Sequence, residues 1–435
     1  MNRRVYYDGL NLSLERGTGI ATYTRTLAGV ASELGYDIGL VYSSPHQPPS
    51  DPLLRDISFL DPKNAARISL RRGRYNWLLD QLTYLRSIQV GDHRLTGSVI
   101  ADQSYLNIPR HDHLFILRNL FNNARDYFSW SGQFVEIAFE IPPDILHCTY
   151  QMPLRAKGAR NIYTIHDLVP LRLPYATLDN KRQTYHLLRK IAAEADHIVT
   201  VSEHSRRDIV ELLGVATDRV TNTYESVDLP QEYIERSDDL VAQQLSVLWQ
   251  LKKNGYLLFY GAFEPKKNVG RLINAYLLST VDIPLVIVGP PGWGTESEAL
   301  LLKQLSEEDR LQPGSRRRFY RLEYVGRSLL VTLIKGARAV LFPSLYEGFG
   351  LPVLEAMLLG TPVVTSRASS LPEIAGDAAL YVDPYDIDAI ARAIKTITAD
   401  DDLRTELARR GRVQAALFSV ERYRERVAAL YQRLG

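Results

Sequence analysis

Two successive series of alternating β-strands and α-helices predict an α/β protein with two doubly wound domains and parallel sheets. Three observations lead to this prediction. Short apolar strands are each followed by apolar residues at helical spacing, first within residues 1–235 and again within residues 250–415. The polar, charge-rich stretch 229–254 separates the two series and is the candidate hinge. Residues 416–435 form a final amphipathic helix, expected to cross back to the first domain, and a cleft is expected between the domains.

Composition limits the function classes. The 435 residues are 45% hydrophobic and 23% charged, and 52 Lys and Arg against 50 Asp and Glu give a formal net charge of +2. This balance argues against a protein that coats a polyanion, so no nucleic-acid partner is expected. The single cysteine, Cys148, excludes an internal disulfide framework and suits a reducing cytosol. No apolar window approaches the length of a membrane span, and the protein is expected to be cytoplasmic or peripheral.

The first domain begins with the strand "VYYDGLNL" and a helix in "ERGTGIATYTRTLAGVASELG". The strand-then-helix order returns at "DILHCTY", at "NIYTIHDLVPL" and at "DHIVTVSEHSRRDIVELLG", where Ser205 and Asp208 resemble a capping box that starts a helix. Residues 51–135 are less regular, and we expect them to be partly helical.

Two strand ends of the second domain carry candidate binding residues. After "YLLFYG", Lys266 and Lys267 precede Asn268, which is expected to cap the next helix, and lysines at a helix N-terminus favour an anion. After "AVLFPS" comes "LYEGFGLPVLE", in which glycines allow close approach of a ligand. Pro352 suits the first helical position, which would place Glu355 in the first turn.

The glutamates of this segment, Glu347 and Glu355, would repel a diphosphate bound at the helix N-terminus. A nucleotide sugar removes the conflict, because its hydroxyls lie at both ends and its charge lies in the middle. Each glutamate alone has a simpler interpretation: Glu355 can be favoured by the helix dipole, and Glu347 can be a solvated loop residue. Their combination with the glycines and "PKKN" favours a binding site.

The first domain offers further candidates. "GTGIATYT" opens a helix after a strand, which suits a phosphate, but it lacks the third glycine of a dinucleotide fingerprint. An NAD-dependent oxidoreductase is therefore disfavoured. His166 and Asp167 follow the strand in "NIYTIHD", at the expected mouth of the cleft. No spaced set of His, Asp and Glu residues resembles a metal site, so neither metal nor cofactor is expected.

These motifs closely resemble retaining glycosyltransferase family 4, whose members have the GT-B fold of two Rossmann-like domains. The similarity of "EGFGLPVLE" implies that Glu355 binds the ribose and Glu347 the transferred sugar. The donor-binding loop implied by it comprises Gly348, Phe349, Gly350 and Leu351. "EPKKN" is similar to the family's phosphate site, which implies that Lys267, with Lys266, offsets the leaving diphosphate. "GTGIATYT" implies Gly19 near the reacting centre, and "TIHDLVP" implies His166 beside the donor sugar.

The sequence departs from the family pattern at two places. Ala262 stands where many members have an arginine, and "YESVD", with Glu225 and Ser226, replaces a common Asn-Gly turn. The variants "DGLNL", "GTGI" and "EPKKN" look most like the branch that assembles bacterial surface polysaccharides, including lipopolysaccharide.

The resemblance implies transfer of a hexose, with mannose from GDP-mannose favoured, to a saccharide or lipid-linked saccharide. The alternatives are a UDP-sugar-dependent transferase of the same fold, a nucleotide-sugar epimerase and a catalytically degenerate saccharide-binding subunit. Residues 67–86 combine arginines with apolar residues, which fits either an anionic membrane surface at the inner face or a core-packed helix with a basic face.

Overall fold

The computed structural model of the chain describes residues 2–13, 19–45, 48–60, 81, 83–93, 95–99, 108–290, 292–294, 296–311 and 318–434. Within these residues, two large parallel sheets form the centres of two domains. The predicted α/β class is confirmed.

The first domain contains a seven-stranded parallel sheet among its described residues. Its strands are β1 (Arg4–Asp8), β2 (Asp37–Ser44), β4 (His113–Arg118), β6 (Ile145–Cys148), β8 (Arg160–Thr164), β9 (His197–Thr200) and β10 (Val220–Asn222). Their spatial order is β10-β9-β8-β6-β1-β2-β4. A small parallel sheet is formed, in this order, by β3 (Ile88–Val90), β5 (Val135–Phe139) and β7 (Leu154–Ala156). The helices are α1 (Gly19–Glu33), α2 (Pro52–Leu60), α3 (Leu120–Ser131), α4 (Val169–Arg172), α5 (Lys181–Glu194) and α6 (Glu203–Leu213).

The second domain contains a six-stranded parallel sheet. Its strands are β11 (Leu257–Tyr260), β12 (Leu285–Val288), β13 (Phe319–Leu322), β14 (Ala339–Phe342), β15 (Val363–Ser366) and β16 (Ala379–Val382). Their spatial order is β13-β12-β11-β14-β15-β16. The helices from residue 231 onward are α7 (Gln231–Ile234), α8 (Asp238–Trp249), α9 (Val269–Ser279), α10 (Glu296–Leu311), α11 (Arg327–Gly336), α12 (Leu351–Leu358), α13 (Leu371–Ala375), α14 (Ile387–Ala399), α15 (Asp401–Ala415) and α16 (Val420–Leu434).

The central strands are buried on both sides, which explains their continuous apolar character. In β11 and β14 every residue is buried, and the side chains alternate between the two helical layers. Val5 and Tyr7 pack in the core that continues towards α16, whereas Tyr6 packs on the other face of the first sheet with Phe115 and Phe139. The sheets therefore hold their strand ends rigidly, and those ends face the cleft between the domains.

The final helix α16 packs on the first domain, as expected. Its Tyr431 hydroxyl lies 2.9 Å from the Tyr7 hydroxyl and 2.8 Å from His147 Nδ1, all three groups being buried. Burial lowers the pKa of His147 to about 3, so its imidazole is neutral in this network. An ion pair between Arg424 and Glu33 joins α16 to α1 at the surface.

The structure adds detail to two sequence expectations about organisation. The candidate hinge 229–254 is largely helical: Arg236 donates from Nη1 to Ser328 O (2.7 Å), and α8 buries Val241 and Leu245 against the second domain. The described residues of 51–135 are partly helical, as expected, and they also contribute strands. The strand β3 has only three residues, which is too short for its alternation to be recognised in the sequence.

Two helix starts also differ from the expectation. Helix α6 begins at Glu203 with Ser202 as its cap, since the Ser202 hydroxyl accepts a hydrogen bond from Ser205 N (3.0 Å). Asp208 is instead engaged in contacts between the domains. Asn268 occupies the position before α9 but does not cap it: its side-chain amide donates to two backbone carbonyls, those of Pro343 and Pro384.

Candidate active site

The loop between β14 and α12 carries the paired glutamates. Helix α12 begins at Leu351, so Pro352 is its second residue and Glu355 its fifth, one residue further along than expected and past the first turn. Gly350 has a φ of 113°, a conformation that favours glycine, and a Cβ on Gly348 would lie 2.7 Å from His166 O. The glycines therefore allow the loop to approach the backbone of the first domain.

Glu347 forms a buried ion pair with Lys267 across the cleft edge of the second domain. Lys267 Nζ lies 2.7 Å from Glu347 Oε1 and 4.8 Å from the centre of the Phe342 ring. Burial would raise the pKa of the Glu347 carboxyl, but the charges of Lys267 and Lys266 outweigh it and lower the pKa below its usual value. Glu347 is therefore ionised at neutral pH.

Lys266 connects this pair to the first domain. Its Nζ lies 3.9 Å from Asp167 Oδ2 and 3.9 Å from Glu264 Oε2. Burial would lower the pKa of the Lys266 ammonium, but Asp167, Glu347 and Glu264 raise it above its ordinary value. We call Lys266, Lys267, Glu347, Asp167 and Glu264 the charge cluster; it holds two fixed cations among three carboxylates.

Glu355 has a cationic partner that sequence reasoning missed. Arg327 Nη1 lies 2.8 Å from Glu355 Oε1, and the Tyr260 hydroxyl beside them donates to Pro352 O (2.8 Å). Arg327 is the first residue of α11, which follows the strand β13. The rule that ligands bind beyond strand ends would have found it, had the end of β13 been considered.

His166 lies opposite this loop, with both ring nitrogens near acceptors. Nδ1 is 3.2 Å from Glu225 Oε1, Nε2 is 2.9 Å from Thr149 O, and the Tyr23 ring packs edge-on at 4.8 Å. Burial would lower the pKa of His166, but the hydrogen bond and charge of Glu225 raise it above its usual value. A doubly protonated ring satisfies both acceptors. Glu225, to which the sequence assigned no effect, is thus the partner of His166.

Gly19 and the remaining loop residues differ in what they present to the cleft. Gly19 begins α1, and a Cβ on it would lie 3.6 Å from Leu351 Cδ1, so the first-domain helix meets the donor loop there. The Phe349 side chain does not face the cleft: it is buried against the Phe418 ring, 5.6 Å away. Phe349 can serve a ligand only through its backbone.

The first domain also holds the loop directly. Ser202 Oγ donates to Gly348 O (2.7 Å), and the Tyr346 hydroxyl is hydrogen-bonded to Asp208. Nearby, the Glu373 carboxylate accepts bonds from the first backbone amides of α6. These contacts join residues more than a hundred positions apart, which explains why sequence reasoning did not find them.

The arrangement suits a ligand with a charged middle and hydroxylated ends. Two lysines and loop amides can stabilise phosphate charge, while Glu347 and Glu355 can accept hydroxyl hydrogen bonds. Within the described part of the chain, no group of three or more His, Cys, Asp and Glu side chains is placed to hold a metal ion. A helix long and apolar enough to cross a bilayer is likewise not found among those residues.

Comparison with known proteins shows the family to which the chain belongs. A family profile described as "Glycosyl transferases group 1" matches residues 247–414, and one described as "Glycosyltransferase Family 4" matches residues 98–230. The chain belongs to glycosyltransferase family 4 and is a glycosyltransferase with the GT-B fold.

Two relatives and one solved structure illustrate the similarity. The O-antigen chain mannosyltransferase B of Escherichia coli is 38% identical over 280 residues, which cover 62% of this chain and 69% of that protein. The serotype-specific mannosyltransferase WbdA of Escherichia coli is 28% identical over 69% of this chain but only 38% of its own length. Sucrose-phosphate synthase from Thermosynechococcus elongatus superposes with a TM-score of 0.67 at 18% identity, over 100% of this chain and 99% of that one.

Proposed function

We propose that the enzyme transfers mannose from GDP-mannose, with retention of anomeric configuration, to a saccharide or lipid-linked saccharide in cell-surface polysaccharide synthesis. The observation that carries the proposal is the pair of largely buried lysines beside Glu347, across the cleft from the His166 segment. The names of the two relatives, both mannosyltransferases, support the choice of sugar.

In the proposed reaction, the bond between the anomeric carbon and the diphosphate oxygen breaks. A new bond to the acceptor hydroxyl oxygen forms on the same face. Lys267 and Lys266 stabilise the growing charge of the diphosphate, which is itself a good leaving group. The departing phosphate oxygen takes the acceptor proton, so no separate base is required. The lysine ammoniums supply the positive charge, and the proposed step uses neither a metal nor a cofactor.

In this scheme His166 does not act as a base, and it positions the donor indirectly, by holding the backbone that meets Gly348 of the donor loop. Its Nδ1 faces Glu225 and its Nε2 faces Thr149 O, so neither nitrogen is left to accept a proton. At the other end of the donor, Glu355 would exchange Arg327 for the ribose hydroxyls, and Arg327 would be released towards the phosphates. Arg327 would then take over the role of the arginine that Ala262 replaces.

A lipid-linked acceptor would place the enzyme at the inner face of the cytoplasmic membrane. The basic and apolar segment 67–86, proposed to contact anionic lipid, lies largely outside the described residues: only 81 and 83–86 are described. Of these, Leu85 is exposed.

The deciding experiment follows nucleotide-sugar turnover by NMR, first without acceptor and then with methyl α-mannoside, across GDP- and UDP-linked hexoses. We expect turnover of GDP-mannose, an α-linked product, and no loss of rate in EDTA. Lys267→Ala should reduce kcat by about 10²–10³-fold, as for removal of a group that stabilises transition-state charge. Glu355→Ala should mainly raise the donor KM.

If only UDP-sugars are turned over, the donor is a UDP-sugar and not GDP-mannose. A β-linked product would refute transfer with retention of configuration. If neither turnover nor nucleotide-sugar binding occurs, the degenerate saccharide-binding subunit is the better interpretation.

A further inference from the structure

An open groove of about 400 Å³ lies between the domains, outside the contacts described for the donor loop. Its polar lining consists of Tyr175 from the first domain and of Glu264, Asn268, Arg271, Asn274 and Glu298 from the second. This volume lies within the range of small-molecule sites, roughly 300–1,000 Å³. We call it the interdomain groove.

The groove is flanked by two exposed tyrosines, one from each domain. Tyr175 is 63% exposed and Tyr385 is 53% exposed, and their hydroxyls lie 3.5 Å apart. The Arg271 guanidinium lies 5.3 Å from the centre of the Tyr385 ring and donates to Asn268 Oδ1 (3.0 Å). The rings of Tyr175 and Tyr385 are thus held in place at the surface, although water interacts only weakly with aromatic rings.

The charges of the lining indicate what it binds. The lining contains two carboxylates, those of Glu264 and Glu298, and one guanidinium, that of Arg271. A phosphate would therefore be repelled, whereas a neutral polyol could form hydrogen bonds with both acceptors and donors. Sugar rings also carry apolar C–H faces that can pack on tyrosine rings. We propose that the interdomain groove is a subsite for the non-reacting sugar residues of an oligosaccharide acceptor.

The position of the groove connects it to the charge cluster. Glu264 lines the groove and lies 3.9 Å from Lys266 Nζ. Leu345, also in the lining, donates from its backbone to Lys266 O (2.7 Å) and stands two residues before Glu347. An acceptor bound in the groove therefore presents its terminal sugar to the reacting centre. Because the two tyrosines belong to different domains, the acceptor would also stabilise the closed cleft.

This inference rests on the proposed function, and its test separates the two. Transfer to methyl α-mannoside and to an α-linked mannotriose is measured for the wild type and for Tyr175→Ala, Tyr385→Ala and Tyr175→Phe. The matched control is Tyr324→Ala: Tyr324 is an exposed tyrosine of the second domain that does not line the groove and, unlike Tyr385, is not paired with Tyr175 or Arg271. Donor hydrolysis without acceptor should be the same in all.

We expect the preference for mannotriose, as a ratio of kcat/KM values, to fall about tenfold in both alanine variants of the groove, which is one decade of affinity. Tyr175→Phe, which keeps the ring, and Tyr324→Ala should retain it. A preference that survives both alanine changes, or that falls equally in Tyr324→Ala, overturns the subsite.

If the wild type transfers no sugar, the proposed function fails, and binding of mannotriose measured by NMR titration decides the groove alone. Binding that Tyr175→Ala abolishes supports the subsite. The absence of binding to the wild type refutes it.

Discussion

The buried pair of Glu225 and His166 should make stability depend on pH in a defined direction. The change is Glu225→Gln, which keeps the size of the side chain and removes its charge. At 3.2 Å the Coulomb attraction is 332/(20 × 3.2), about 5 kcal/mol with an effective dielectric constant of about 20. Desolvation offsets much of it, and we expect a net loss of about 1.5–3 kcal/mol, the range for hydrogen bonds to charged groups.

The sign follows from the raised pKa of His166 in the folded state. A raised folded-state pKa contributes stability that is fully present below the unfolded value of about 6.5 and is lost as the pH rises through the folded value. The difference between wild type and Glu225→Gln should therefore be greatest at about pH 5–6, below the unfolded value for histidine, and should decline at alkaline pH.

Urea unfolding at a series of pH values from about 5 to about 10 measures this difference in the free energy of unfolding. Glu211→Gln is the matched control, because Glu211 forms an exposed ion pair with Arg172 at 2.8 Å and no histidine contributes to that pair. Its effect should be below about 1 kcal/mol at every pH. A loss in Glu225→Gln that is constant with pH, or that grows as the pH rises, would refute the assignment of the ion pair.

Two further predictions concern the donor loop and the membrane. Gly348→Ala should reduce transfer by at least about tenfold, because the added Cβ would lie 2.7 Å from His166 O and the loop would have to shift. Steady-state kinetics measures this effect. An unchanged rate would mean that the loop is not held as described. In vesicle flotation, the protein should float with vesicles that contain anionic lipid, and a smaller fraction should float in about 1 M salt. Protein that stays at the bottom with both neutral and anionic vesicles would argue against the membrane proposal.

The local parts of the site could be predicted from sequence. Lys266, Lys267 and Glu347 each follow a strand within a few residues, and Glu355 lies in the helix after the same loop as Glu347, so the rule that ligands bind beyond strand ends locates them from the sequence alone. The helix starts were less certain, because Leu351 precedes the proline that was expected to begin α12. The α/β class followed for the same reason: alternation of short strands and helices is a local pattern.

The pairings that span the fold could not be predicted. His166 and Glu225 are 59 residues apart, and Ser202 and Gly348 are 146 apart. Neither separation is set by a helical or strand period, so no sequence pattern indicates that the groups meet. The interdomain groove is a similar case, since its two tyrosines come from different domains and are 210 residues apart.

The contact between Tyr7 and Tyr431 has a consequence for biosynthesis. The two residues are 424 positions apart, yet both are buried in the core of the first domain. During translation β1 emerges early, but α16 emerges only after the whole second domain. Tyr7 and His147 of the first domain therefore lack their partner Tyr431 during the time in which the second domain can already fold. We expect the first domain to be the last part of the molecule to reach its native packing, even though it is synthesised first.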